Sequence, residues 1–230
     1  CDGAGVLSPA KALAGAELLA RDVAGLVAMH GDHDIHLTVV GSSYGSTTTA
    51  IAAADHHLAA DDVVLVGSPG AGTAERAADL TTGRGHTWVA SASSDLVTWL
   101  GDNGGWNPFD GVTGSPLGID PADQAFGGQR MRAESLDRSS PLWPPSNLLA
   151  EHGRYFDSGS EALFNTAAVV AGDTAAVMRA APREQEPTFE FDAGLDINVW
   201  PTEPEAQRAP TSMSHAVTPP PSAEIGEPNT

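Results

Sequence analysis

The pentapeptide Gly41-Ser42-Ser43-Tyr44-Gly45 closes an apolar run, Ile35-His36-Leu37-Thr38-Val39-Val40, and opens a small-residue, helix-compatible segment from Ser46 to Ala54. The run is apolar at both parities, the mark of a strand covered on both faces, as in a parallel sheet. Parallel strands need crossover connections, so a strand, a tight turn and a helix in this order commit the chain to a layered α/β architecture. The turn reads G-x-S-x-G, the pattern that holds a serine in a strained strand-to-helix turn with its hydroxyl clear of the sheet. Only Ser43 fits the register, because Ser42 would need glycine at positions held by Val40 and Tyr44. Glycine on both sides is expected to let strand and helix approach closely.

The flanking pattern extends the same architecture. Ser8-Pro9 followed by Leu18, Leu19, Val23, Leu26 and Val27 predicts an amphipathic helix that Gly31 ends. Asp61-Asp62 leads into a second buried strand, Val63-Val64-Leu65-Val66, which stops at the turn Gly67-Ser68-Pro69-Gly70. A short helical stretch from Ala74 to Leu80 and a third strand, His86 to Ala90, follow. Phe126 to Met131 reads as a further strand. Ser160 to Ala180 reads as a last helix with Leu163, Ala167, Val170 and Val177 on its apolar face. The fold class is α/β, a mostly parallel sheet flanked by helices, over residues 1–180. No strand precedes the first helix, so the reading expects the N-terminal strands of such a sheet to be missing. That leaves the elbow strand with an unpaired edge and a route to self-association. From about residue 181 Pro, Glu, Ser and Thr dominate, and 181–230 reads as a disordered, acidic, Pro-rich tail.

Composition narrows the partners. A formal net charge of −19, from 30 acidic and 11 basic residues, argues against nucleic acid, whose phosphates require Lys and Arg. No apolar run approaches the roughly 20 residues of a membrane span. The one cysteine, Cys1, excludes an internal disulfide and leaves cytoplasmic and secreted locations both open. Starting at a cysteine without methionine fits a processed lipoprotein or a fragment; the missing strands favour the fragment.

A serine is a poor nucleophile until a base, itself oriented by an acid, stands within hydrogen-bond reach. In sites built on an elbow of this pattern the acid and the histidine follow the serine in that order, and such groups collect at the C-terminal ends of strands. Asp95 lies just past the strand 86–90 and is the candidate acid; its alternative is to cap a helix starting at Leu96. Asp102, Asp110 and Asp120 are reserves. Only His152 and His215 follow Asp95. His215 falls in the tail, which leaves His152 as the candidate base. The backbone N–H of Tyr44, next after the nucleophile, is the candidate oxyanion donor.

Other groupings carry less. His30, His33 and His36, with Asp32 and Asp34 between them, match no zinc spacing and read as a solvated turn. His56-His57 reads as a helix end. Gly67 to Gly72 lacks the lysine of a phosphate loop. Trp99, Trp106, Pro108, Phe109 and Trp143 read as an acyl pocket, a lid or ordinary core. No metal or organic cofactor is called for.

His36 to Thr48, with its Gly41-Ser42-Ser43-Tyr44-Gly45 centre, resembles the elbow of an actinobacterial α/β-hydrolase family first catalogued as a domain of unknown function. Asp62 to Gly70, Asp120-Pro121 with Phe126-Gly127, and His152-Gly153-Arg154-Tyr155-Phe156 with Gly159-Ser160 and Asn165 are similar to its later stretches. The resemblance spans about residues 8–180. It implies an α/β-hydrolase fold with a serine–acid–histidine triad, carried here onto Ser43, Asp95 and His152. The family usually has histidine where Ser42 stands, and has strands upstream of the elbow. The reading is therefore a serine hydrolase, acting on a small-molecule acyl ester. A non-catalytic or incomplete module of the same fold, and an acyltransferase, are the alternatives.

Overall fold

The computed structural model describes residues 8–31, 35–80, 86–93, 95, 97–98, 117–134 and 151–181. Of the tail read over 181–230 only Ala181 is among these; the rest of it, and the residues Trp99, Trp106, Pro108, Phe109 and Trp143, lie outside them.

Helix α1 runs Pro9–His30. The Ser8 hydroxyl accepts the Ala10 N–H, Pro9 takes the first turn, and Gly31 at φ 61° ends it, as the sequence signals require. Its buried stripe is Ala12, Ala16, Ala20 and Val23, while Leu18 and Leu26 face outward. Of the expected face Val23 is buried and Leu19 packs against the core, but alanines take the places expected of Leu18 and Leu26. The reason is the partner, since α1 packs on helix α2 (Tyr44–His56), and small residues allow the approach. At Gly15 even a Cβ would come within 3.2 Å of Thr48 Cγ2.

Four strands, β1 (Thr38–Ser42), β2 (Asp62–Val66), β3 (His86–Ala90) and β4 (Gln129–Met131), form a parallel sheet in the order β1-β2-β3-β4. Alternate side chains feed two cores. Val63, Leu65 and Phe126 join α1 and α2 on one face. Val64, Val66, Trp88, Ala90 and Met131 meet helix α3 (Glu161–Val170) on the other. β1 ends at Ser42 rather than Val40, because Gly41 and Ser42 continue the ladder opposite Leu65 and Val66. Among the described residues no strand lies against β1's other edge, and the Val40 side chain is 38% exposed.

The last helix stops at Val170 instead of reaching residue 180. Gly172 turns at φ 73°, and the chain comes back antiparallel to β4, with the Arg132 N–H on Met178 O (2.8 Å) and the Ala180 N–H on Arg130 O (3.0 Å). The apolar face read along it is also rotated. Ala162, Asn165, Thr166 and Val169 are buried, whereas Leu163, Ala167 and Val170 point outward. Asn165 explains the turn of the helix: its side-chain amide donates to Arg132 O and accepts from the Met178 N–H, bonds that need it inside.

At the N-terminal edge of the sheet, buried Asp62 joins three elements. Its Oδ1 accepts Trp88 Nε1–H (2.9 Å) and the His86 N–H (3.2 Å), and its Oδ2 lies 3.0 Å from His36 Nε2. His36 therefore precedes β1 as a partner of Asp62 rather than belonging to the strand. No helix among the described residues is long and apolar enough to cross a membrane. Nor does any group of three or more His, Cys, Asp or Glu among them suit a metal ion.

Candidate active site

The opposite, C-terminal edge of the sheet gathers the residues singled out above. Ser43 sits between β1 and α2 at φ 53°, ψ −131°, a backbone region that L-residues avoid. Neighbouring contacts over-determine this conformation. The Ser43 N–H donates to Val66 O (2.8 Å), and the Ser46 N–H and hydroxyl both return to Ser43 O. Gly41 is required sterically, since a Cβ there would lie 2.7 Å from Ser46 Cα. Gly45 is not: a Cβ there meets nothing within 4 Å, so only the first of the two glycines serves close packing.

Tyr44 opens α2, which puts its backbone at the positive end of the helix beside Ser43. Its side chain has a separate task that the sequence did not show. The hydroxyl donates to Ser8 O (2.5 Å) and accepts the Ala12 N–H (2.9 Å), tying the first turn of α1 to the elbow.

Asp95 follows β3 and is fully buried. Its loop is anchored where Glu134 accepts the Ser93 N–H (2.9 Å) and hydroxyl (3.1 Å). Glu134 in turn donates its own N–H to Glu161, which also pairs with Arg132 (3.2 Å). The two carboxylate oxygens of Asp95 have different partners. Oδ1 accepts the Val97 N–H (2.9 Å), a local turn cap, while Oδ2 lies 2.8 Å from His152 Nδ1. Of the reserve acids, Asp120 accepts the Ala122 N–H in its own turn. Asp102 and Asp110 lie outside the described residues.

His152 stands on a 3₁₀ turn, Glu151–Gly153, beyond β4. Its Nε2 is 2.7 Å from Ser43 Oγ, and its side chain keeps 17% exposure. A carboxylate can only accept, so His152 Nδ1 carries a proton toward Asp95, and Nε2 is left to accept the Ser43 hydroxyl proton. Serine, histidine and aspartate, distant in sequence, thus form one hydrogen-bonded line. Gly67, at φ 55° just past β2, lies under it: a Cβ there would come 2.7 Å from Tyr155 Cε2, 3.2 Å from His152 Cε1 and 3.3 Å from Asp95 Oδ2.

Residues 2–102 match the model of a family described as alpha/beta hydrolase. The chain is also similar to two proteins of Mycobacterium tuberculosis, each described as uncharacterized: MT2140 of strain CDC 1551 / Oshkosh and Rv2079 of strain ATCC 25618 / H37Rv. Each is 34% identical over 230 residues, which cover 91% of this chain and 34% of the relative. The chain thus spans about a third of the length of the curated relatives it matches. No solved structure matches it.

Proposed function

We propose that this chain, whose residues 2–102 match a family described as alpha/beta hydrolase, is a serine hydrolase that cleaves carboxylic esters through an acyl-enzyme. One observation carries the reading: the strained Ser43 elbow with His152 and Asp95 in line behind it, at 2.7 and 2.8 Å. In this mechanism Ser43 Oγ attacks the ester carbonyl as its proton passes to His152 Nε2. Asp95 holds the imidazole and stabilises the imidazolium. The Tyr44 N–H, at the N-terminus of α2, stabilises the oxyanion. Collapse expels the alcohol, which takes the proton from His152, and water activated by the same histidine releases the acid. Transfer to another acceptor would use the same acyl-enzyme. With no described strand against the outer edge of β1, we also propose self-association there, readable as a mass above 23.6 kDa in light scattering.

A fluorophosphonate probe tests the activated serine without knowledge of the substrate. It is expected to modify Ser43, located by mass spectrometry, and to leave Ser43→Ala unlabelled. An adduct on Ser42 or Ser46, or none in a folded protein, would overturn the assignment.

A further inference from the structure

Tyr155 lies three residues beyond His152 and points back into the core under α3, only 3% exposed. Its hydroxyl accepts the Ala92 N–H (3.0 Å) and stands 2.7 Å from Asp95 Oδ2. That carboxylate oxygen is also the partner of His152 Nδ1. The phenol has one proton, and the carboxylate has none to give, so the proton is directed at Asp95. The ring is held from both ends. Ser160, which caps α3, donates its hydroxyl to Tyr155 O (2.6 Å), and the Tyr155 ring meets the His152 imidazole edge-on with centroids 6.3 Å apart.

We propose that Tyr155 is a positioning residue for the hydrolytic reaction, a fourth member of the line that fixes the Asp95 carboxylate and through it the tautomer and direction of His152. The proposal rests on the serine-hydrolase reading above. Its chemical reason is geometric. The carboxylate of Asp95 could rotate about its last torsion, and the Val97 N–H on Oδ1 restrains that rotation from one side only. The Tyr155 hydroxyl restrains it from the other, so Oδ2 faces Nδ1 when the imidazolium forms. An aromatic ring kept here for packing alone would fill the same space without the hydroxyl.

The test is a double-mutant cycle on the full chain, read as the rate of fluorophosphonate labelling of Ser43 and as kcat and KM for p-nitrophenyl acetate. Tyr155→Phe keeps the ring and is expected to lower kcat and the labelling rate about 10-fold, the worth of one hydrogen bond to a charged group, with KM unchanged. In an Asp95→Asn background, where the line is already broken, the same change should cost nothing further. Tyr155→4-aminophenylalanine, which keeps the ring and a donor, should restore most of the rate, and separates the lost bond from a folding defect. Three results would overturn the role of Tyr155 alone: a Tyr155→Phe rate within twofold of wild type, an equal loss in both backgrounds, or no rescue by the amino variant. A wild-type rate in Asp95→Asn itself would overturn the triad, and this proposal with it.

Discussion

Replacing Gly67 by alanine would push a methyl group into the floor of the candidate site. Two costs follow from the structure. An L-residue held near φ 55° is strained by about 1–2 kcal/mol. The new Cβ would also stand 2.7 Å from Tyr155 Cε2, against the roughly 3.5–4.0 Å of a relaxed carbon contact. The Tyr155 ring cannot step back freely, because its hydroxyl is fixed by Ala92 and Asp95 and its backbone by Ser160. Such overpacking typically costs about 1–3 kcal/mol. Together they give roughly 2–5 kcal/mol, a fall in Tm on the order of 10 °C for a chain of this size. Relief requires Tyr155 to give by something approaching 1 Å and its partners His152 and Asp95 by a few tenths of one, and a misplacement of about 1 Å costs about 10²-fold in rate. Gly45→Ala is the control, because its Cβ meets nothing within 4 Å and alanine favours the helix it enters. Thermal melts and the rate of Ser43 phosphonylation, measured on both variants, decide the matter. Wild-type melting and labelling in Gly67→Ala, or losses in Gly45→Ala as large as those in Gly67→Ala, would refute the reasoning.

Two further perturbations probe the frame. Asp62→Ala removes the acceptor of buried Trp88 Nε1–H and the link from β2 to β3 and to His36 ahead of β1, and should cost about 1–3 kcal/mol in urea unfolding without moving the labelled residue. The Arg76 guanidinium, hydrogen-bonded to Asp79, holds that carboxyl below the ordinary carboxylate range, helped by the N–H groups of Glu75 and Arg76. Because the folded value is depressed, the stability it lends is present above the ordinary range and lost as acid takes the pH down through the folded value. A ¹³C titration should show Asp79 moving toward its ordinary value in Arg76→Ala.

What could be read in advance follows from which forces are local. Ser8-Pro9 and Gly31 bound α1 because capping involves neighbours in sequence. Val63 to Val66 and His86 to Ala90 are strands because a run apolar at both parities has little alternative to a covered sheet. Helix faces were harder. On α1 Leu18 and Leu26 lost to the alanines, and on α3 Leu163 and Val170 lost to Asn165, whose buried hydrogen bonds depend on residues 33 and 13 positions away. No periodicity within a helix contains such partners.

The candidate site divides the same way. Gly41-Ser42-Ser43-Tyr44-Gly45 named the strained serine, since the turn lies within one pentapeptide between a strand and a helix. Chain order after the elbow narrowed the acid to Asp95 and the base to His152. The sequence alone therefore determined a covered parallel sheet, an elbow at Ser43 and a short choice of partners. Only tertiary structure decided that Asp95 serves Val97 and His152 on separate oxygens, that the Tyr44 hydroxyl anchors α1, and that Tyr155 and Gly67 close around the line. Apart from the local Val97 bond, each of these rests on a hydrogen bond or a close contact between segments brought together at the C-terminal edge of the sheet. Directional contacts of a few ångströms between distant residues leave no period or spacing in the chain that makes them.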